Sequence, residues 1–259
     1  MEPLYGLAKV LLRRPLRHGL QWRVEGVERI PAEGPVLLAS NHVSYLDPLC
    51  LAYVGDLAGR KVRFLAKGEL FESWWFGPIM RKLGNVAVLR GTADSTGALE
   101  AAAAKLRAGE CVVVFPEGTI SKDFDPMPGK TGAARLARAA GVPVTPVGLW
   151  GSHRVIPPRR RRARRLRTAV VAVVGEPVSI SPKDNPREST DRIMAAICAQ
   201  VRRAREIYPQ KARSEADGWW VRPPGTARLR SCRGRVAQQL LDAPPEIPGG
   251  AGVSPEAGA

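Results

Sequence analysis

Short apolar runs recur along the chain, and most of them end in a polar cluster or a glycine turn. Residues 35–39 (PVLLA), 111–115 (CVVVF) and 142–149 (VPVTPVGL) have the length and β-branched content of buried strands. Residues 62–67, 86–89 and 168–175 read the same way, and residues 21–26 read as an edge strand turning into the core. Between the strands the apolar period lengthens. Residues 95–108 place Leu99, Ala102, Ala103 and Leu106 on one helical face, with Gly109 as a C-cap. Gly129-Lys130-Thr131-Gly132 opens a helix over 133–140 that Gly141 closes, and residues 189–208 set Ile193, Ile197 and Val201 on one side. Strands alternating with helices predict β-α-β units with right-handed crossovers, hence an α/β domain.

The first strand leads into Ser40-Asn41-His42-Val43-Ser44-Tyr45-Leu46-Asp47-Pro48, and residues 49–54 beyond it read as helix or buried turn. A histidine and an acid therefore sit near a strand's carboxyl end, where open α/β sheets keep their ligands. On a continuous helix, residues five apart point about 140° from each other, so a bonded pair needs an irregular turn. If the helix starts near Asp47 or Pro48, the carboxylate can fold back on the imidazole. It then fixes one ring nitrogen as donor and leaves the other to accept a proton. The other reading is a capping Asp beside an unrelated surface His, and these residues alone leave both open. Ser44 lacks the Gly-x-Ser-x-Gly elbow that would expose it as a nucleophile.

A second polar cluster, Pro116-Glu117-Gly118-Thr119-Ile120-Ser121, follows the run 111–115. With it the chain resembles the PlsC-type glycerolipid acyltransferases, whose 1-acylglycerol-3-phosphate members make phosphatidate from an acyl thioester. Asn41, His42 and Asp47 match that family's Asn-His-x4-Asp motif, and Phe115 to Thr119 match Phe-Pro-Glu-Gly-Thr. Residues 84–91, with Arg90, look like the second motif, and residues 142–147, with Pro146, like the fourth. The four motifs stand in the family's order.

The resemblance implies a single mixed sheet flanked by helices. It also implies an O-acyltransferase that moves a fatty acyl group from acyl-CoA or acyl carrier protein to the free hydroxyl of a lysophospholipid, foremost 1-acylglycerol-3-phosphate. His42 would be the general base and Asp47 its orienting partner. Asn41, Arg90, Glu117, Gly118, Thr119 and Pro146 would bind substrate, the Gly118 and Thr119 N–H groups being candidates to hold an oxyanion or a phosphate oxygen. An arginine at a strand end can grip a phosphate with its planar fork, and Lys130 with the backbone N–H groups of a helix start can take another. The donor is a co-substrate, and no cofactor or metal is expected. One departure concerns the acceptor: the third motif often continues Glu-Gly-Thr-Arg-Ser, but Ile120 stands in the arginine's place. Lys122 replaces it without the bidentate fork. Other lysophospholipids or glycolipid alcohols therefore stay open as acceptors.

Composition adds the setting. The chain has 259 residues, 44% of them hydrophobic, and 40 Lys and Arg against 24 Asp and Glu give a formal net charge of +16. Such a surface seeks polyanions, whether anionic lipid headgroups, the phosphates of an acyl donor or nucleic acid. Eight arginines crowd residues 154–167, yet no RNA-binding aromatic motif or helix-turn-helix pattern accompanies them, so nucleic acid is not the expected partner. An anionic membrane surface is. A basic adaptor with a relic fold is the alternative class, and the retained His42, Asp47 and Glu117 speak against it.

Residues 4–12 form a short amphipathic stretch with a collar of arginines, suited to a membrane interface or to packing on the domain's own core. Residues 70–80, dense in Trp and Phe, suggest core before tunnel lining or membrane contact. Trp219 and Trp220 pose the choice between membrane and core again. No run of about 18 apolar residues and no signal peptide is visible. The scattered cysteines predict neither a metal site nor disulfides, so a cytoplasmic protein touching the membrane peripherally is expected. The expected organisation is an N-terminal basic helix over 1–20, an acyltransferase domain over 21–208, and a basic, then Pro/Gly/Ala-rich tail over 209–259, largely disordered.

Overall fold

A computed structural model describes residues 18–75, 77–88, 94–157, 167–212 and 217–221. Seven strands form one sheet: β1 (Leu20–Glu25), β2 (Val36–Ser40), β3 (Val62–Lys67), β4 (Val86–Val88), β5 (Cys111–Val114), β6 (Val144–Trp150) and β7 (Thr168–Val174). Their spatial order is β1-β7-β6-β2-β5-β3-β4. β2 to β6 all run parallel, while β7 is antiparallel to β6 and parallel to β1, so the sheet is mixed. The carboxyl ends of β2, β3, β5 and β6 consequently share one edge. The chain passes from β2 outward to β3 and β4, returns to β5 on one flank of β2, and then crosses to β6 on the other, which makes β2 the switch point where such sheets hold ligands.

The helices are α1 (Asp47–Leu57), α2 (Glu69–Glu72), α3 (Gly77–Lys82), α4 (Asp94–Arg107), α5 (Gly132–Ala140), α6 (Ser152–Val155) and α7 (Pro186–Glu206). The pleat alternates side chains between two cores. Leu38, Val113, Leu149 and Val170 face α1 through Leu51 and Val54, whereas Leu37, Val112, Val144 and Val171 face α4, α5 and α7. Burial on both faces explains why these strands read as continuous apolar runs instead of alternating ones.

α7 lies directly on β6. A Cβ added at Gly148 would fall 2.3 Å from Val201 N and 2.3 Å from the Gln200 carbonyl carbon, so helix and strand meet there backbone to backbone. The helix starts at a built cap, with Asn185 Oδ1 accepting from Arg187 N–H at 2.8 Å and Pro186 in its first turn.

Three expectations need correction. Among the described residues of 70–80, only Phe71, Gly77 and Met80 are buried; Trp74 is 87% and Trp75 60% exposed, with Leu70 and Ile79 also exposed. The two helices there are too short to carry every large side chain inward. The folded part does not end at residue 208, because the 3-10 turn Asp217–Trp220 packs back and buries Trp220. Cys198 is disulfide-bonded, whereas Cys50 and Cys111 are free and buried, which removes the cysteine-based reason for a reducing compartment. The N-terminal stretch up to residue 17, residues 158–166 of the arginine run and the tail from residue 222 lie outside the described residues. Among the described residues, no helix is long and apolar enough to cross a membrane.

Gly148→Ala is expected to destabilise the fold by about 1 to 3 kcal/mol, since backbone atoms cannot step aside as a side chain can. Thermal melts should show a fall of several degrees, while Val221→Ala, at an exposed position, should leave the midpoint in place.

Candidate active site

The loop between β2 and α1 is short and turns sharply, because Asp47 begins α1 and reaches back over it. Asp47 Oδ2 accepts from Val43 N–H at 2.7 Å and from Ser44 N–H at 2.8 Å, and lies 2.9 Å from His42 Nδ1. Its Oδ1 accepts from Ser152 Oγ at 2.5 Å, and the side chain has no exposed surface. An oxygen that already takes two backbone N–H donors is an acceptor, so His42 Nδ1 donates and Nε2 carries the lone pair. The imidazole stacks on Phe115, with centroids 4.2 Å apart, and its side chain keeps 16% exposure. The result is an imidazole whose Nδ1 is held by a buried acid and whose Nε2 is free of that contact, an arrangement able to accept a proton.

A second loop is tied to the first. Glu117 Oε1 accepts from His42 N–H at 2.8 Å, its Oε2 accepts from Met127 N–H at 3.0 Å, and Ser121 N–H donates to His42 carbonyl O at 2.7 Å. Burial pushes the Glu117 carboxyl up to about 8, against the two backbone N–H groups that favour its anion and with the Asp47 charge adding to the rise. Lys130 N–H donates to Pro116 O at 2.9 Å, and its side chain runs over Gly118, where an added Cβ would stand 3.4 Å from Nζ. An exposed cation therefore sits beside the Glu-Gly-Thr turn.

The family profile described as Acyltransferase matches residues 21–150, which is half of the chain. This chain belongs to the acyltransferase family. It is 33% identical over 136 residues to a chloroplastic 1-acyl-sn-glycerol-3-phosphate acyltransferase of Brassica napus, covering 52% of this chain and 38% of that one. A 1-acyl-sn-glycerol-3-phosphate acyltransferase of Bacillus subtilis is 30% identical over 143 residues, covering 55% of this chain and 67% of its own length. A lyso-ornithine lipid O-acyltransferase of Rhizobium meliloti is 37% identical over 133 residues, covering 51% of this chain and 42% of its own. The chain spans between 37% and 53% of the length of the first three curated relatives it matches. Among solved structures, the 1-acyl-sn-glycerophosphate acyltransferase PlsC of Thermotoga maritima superposes with a TM-score of 0.58 at 26% identity, covering 82% of this chain and 85% of that one.

Within this candidate site the expected residues fall into three groups. His42, Asp47 and Glu117 come together as described, with Lys130 alongside, and Thr119 and Lys122 are exposed on the same loop. Asn41, Gly118 and Pro146 have other work. Asn41 is buried, donating from Nδ2 to Leu149 O at 3.0 Å and accepting at Oδ1 from Leu149 N–H at 2.8 Å, so it clamps β2 to β6 like a strand residue and presents no exposed surface to a substrate. Gly118 takes the left-handed φ of +68° its turn requires, and its N–H donates to Phe115 O at 2.9 Å, which removes it from the oxyanion candidates. Pro146 is buried in β6 opposite Ala39, its carbonyl accepting from Gly175 N–H at 2.8 Å where β7 has ended. Arg90 lies outside the described residues. Ser44 is no nucleophile: its Oγ donates to Ile156 O at 2.8 Å and accepts from Leu46 N–H at 3.0 Å.

The residue missed from sequence is Ser152. Nothing local marks it beyond Gly151-Ser152 after a strand, and only the sheet order brings β6's end beside β2's.

The raised carboxyl of Glu117 has a sign that can be tested. Between its ordinary value of 4.5 and about 8 the folded state holds a proton that the unfolded chain has released, so stability falls as pH rises through that window. The slope contributed by one such group is at most about 1.4 kcal/mol per pH unit. Melting curves from pH 4.5 to 8 should slope less for Glu117→Gln than for the parent, and equal slopes would show that burial does not hold the proton.

Proposed function

We propose that this protein transfers a fatty acyl group from acyl-CoA or an acyl carrier protein to the free hydroxyl of a lysophospholipid, with 1-acylglycerol-3-phosphate as the first acceptor to test. The observation that carries this reading is the 2.9 Å bond from His42 Nδ1 to a buried Asp47 already held by three further donors. A thioester has a good leaving group, because a thiol's pKa of about 8.5 lies far below an alcohol's. What the reaction lacks is a nucleophile, since a glycerol hydroxyl is hardly ionised at neutral pH.

His42 Nε2 takes the hydroxyl proton as the oxygen attacks the thioester carbonyl, and Asp47 stabilises the imidazolium that forms. Collapse of the tetrahedral adduct breaks the C–S bond, and the proton passes from His42 to the departing thiolate. The products are an ester and a free thiol, and His42 returns to its starting form. Lys130, Lys122 and Arg90 are the cations assigned to acceptor and donor phosphates. Glu117 shapes the acceptor side by tying the two loops together.

A second acceptor reading rests on Ile120, which stands where a phosphate-binding arginine is common, and on the 37% identity to a relative named for a lyso-ornithine lipid. Thiol release from palmitoyl-CoA with lysophosphatidate, lysophosphatidylglycerol, a lyso-ornithine lipid and a neutral monoacylglycerol separates the two. Acceptor-dependent release should fall at least about 10²-fold in His42→Ala and strongly in Asp47→Asn. Release that survives in His42→Ala would sink the base assignment, and the best acceptor reports what Ile120 has done to headgroup choice.

The partner surface we assign is an anionic membrane, touched peripherally. Tyr45, Leu70, Trp74, Trp75 and Ile79 are exposed, and all belong to segments that follow β2 or β3 at the carboxyl edge carrying His42. Tryptophan suits the boundary between headgroups and acyl chains, and the net charge of +16 favours anionic lipid. Flotation with phosphatidylglycerol vesicles should weaken several-fold in Trp74→Ala. A soluble short-chain acceptor should be acylated at an unchanged rate by that variant.

A further inference from the structure

His153 has no exposed surface and lies in an aromatic box, stacked on Phe124 at 4.4 Å with Trp150 edge-on at 4.6 Å. Its Nε2 faces the Trp220 carbonyl at 3.0 Å, an acceptor only, so Nε2 carries the proton. Nδ1 then holds a lone pair that has no partner among the described residues. Burial pushes this imidazole down to about 4, so it stays neutral at working pH. A phenylalanine would stack as well without a buried unsatisfied nitrogen. What the histidine adds is one donor, and that donor latches the segment Asp217–Trp220.

This segment closes over two groups that reach the dyad. Trp220 is buried beneath Arg154, whose guanidinium carbon lies 3.9 Å from the indole centroid, and Arg154 is pinned in turn to Tyr208 Oη at 2.9 Å and Gln210 Oε1 at 2.6 Å. Trp219 sets its ring against Phe124 at 6.1 Å and His153 at 6.4 Å. His153 follows Ser152, the donor to Asp47 Oδ1. Phe124 belongs to the loop whose Ser121 and Met127 N–H groups bind His42 O and Glu117. Phe124 has a left-handed φ of +61°, a backbone state that persists in a non-glycine residue only when its surroundings hold it. Arg205 helps, donating to Phe124 O at 2.9 Å and Asp125 Oδ1 at 2.6 Å.

We infer that Asp217–Trp220 is a positioning strap for the active site: latched by His153 Nε2–H, it holds Ser152 on Asp47 and the 121–127 loop on His42, and thereby sets kcat and not substrate affinity. The strap lies outside the residues matched by the family profile, 21–150. The inference rests on reading His42 and Asp47 as the catalytic pair. His153, Trp219 and Trp220 touch no reacting atom in this scheme. They act through Ser152 and Phe124.

The full chain should be compared with His153→Phe, which keeps the stack and loses the latch, with Trp219→Ala, and with Val170→Ala in the core on the opposite face of the sheet. The two strap variants are expected to lose between about tenfold and a hundredfold in kcat with KM within about twofold, the scale of a small misplacement of catalytic groups. They should also lose or broaden the downfield proton resonance of His42 Nδ1–H. Val170→Ala should keep kcat and the resonance at an equal or larger loss of melting temperature. If kcat in the strap variants merely tracks melting temperature as in Val170→Ala, or if KM rises instead of kcat falling, the strap is structural and the inference fails. Trp219→Phe should restore kcat, and it carries the comparison should Trp219→Ala not fold. The resonance reads the strap even where no acyl transfer is found, so failure of the strap and failure of the catalytic reading give different results.

Discussion

Asp47 has no exposed surface, yet its two oxygens take hydrogen bonds from Val43 N–H, Ser44 N–H, Ser152 Oγ and His42 Nδ1. A carboxylate can be buried only where donors replace the water it gives up, and each of these donors therefore has to be where it is. Two come from the loop that Asp47 itself closes, one from the imidazole, and one from the far end of β6. The acid thus joins a local turn to a tertiary contact. Removing the Ser152 hydroxyl takes away the hydrogen bond to Oδ1 in a place with no exposed surface.

The sheet makes this convergence possible. Because β2, β5 and β6 run parallel, the chain segments leaving them emerge on one side, and His42, Glu117 and Ser152 meet across three strands. Asn41 completes the junction by binding both backbone groups of Leu149, which fixes how β2's end stands against β6's. Loops carry the candidate site here while the strands set their spacing. The His42 loop and the Glu117 loop are further crosslinked through backbone groups, so neither can shift without the other.

Behind that edge lies an unusually aromatic and cationic layer. Arg205 sits 4.0 Å from the Trp150 ring, Arg154 sits over Trp220, and His153 and Phe124 stack between them. Cations over indole faces hold geometry without presenting a charge to the reaction. A layer of this kind explains how a loop with a left-handed phenylalanine stays in place. It also explains why Arg154, at the start of the arginine-rich stretch, and Arg205, near the end of α7, serve the fold instead of a polyanion.

The strands and the helices over 94–107, 132–140 and 186–206 were legible in the sequence, and the pairing of His42 with Asp47 was one of two readings its residues allowed. Each depends on neighbours a few residues away: apolar runs bounded by glycine, a 3.6-residue period, a Pro that starts a helix one residue after an acid. Phe115 to Thr119 was legible for the same reason. Asn41, Gly118 and Pro146 were named correctly as parts of the motifs but not in what they touch, because a motif states which residues are present and not where their hydrogen bonds go. Residues 70–80 show the same limit, since apolar content cannot tell whether a helix exists to carry it inward, and Trp74 ended in solvent. The order of strands decided the rest. Ser152 meets Asp47 from 105 residues away, and Trp220 meets His153 from 67. Contacts at such separations arise from which strand lies beside which, and no local period in the chain encodes that.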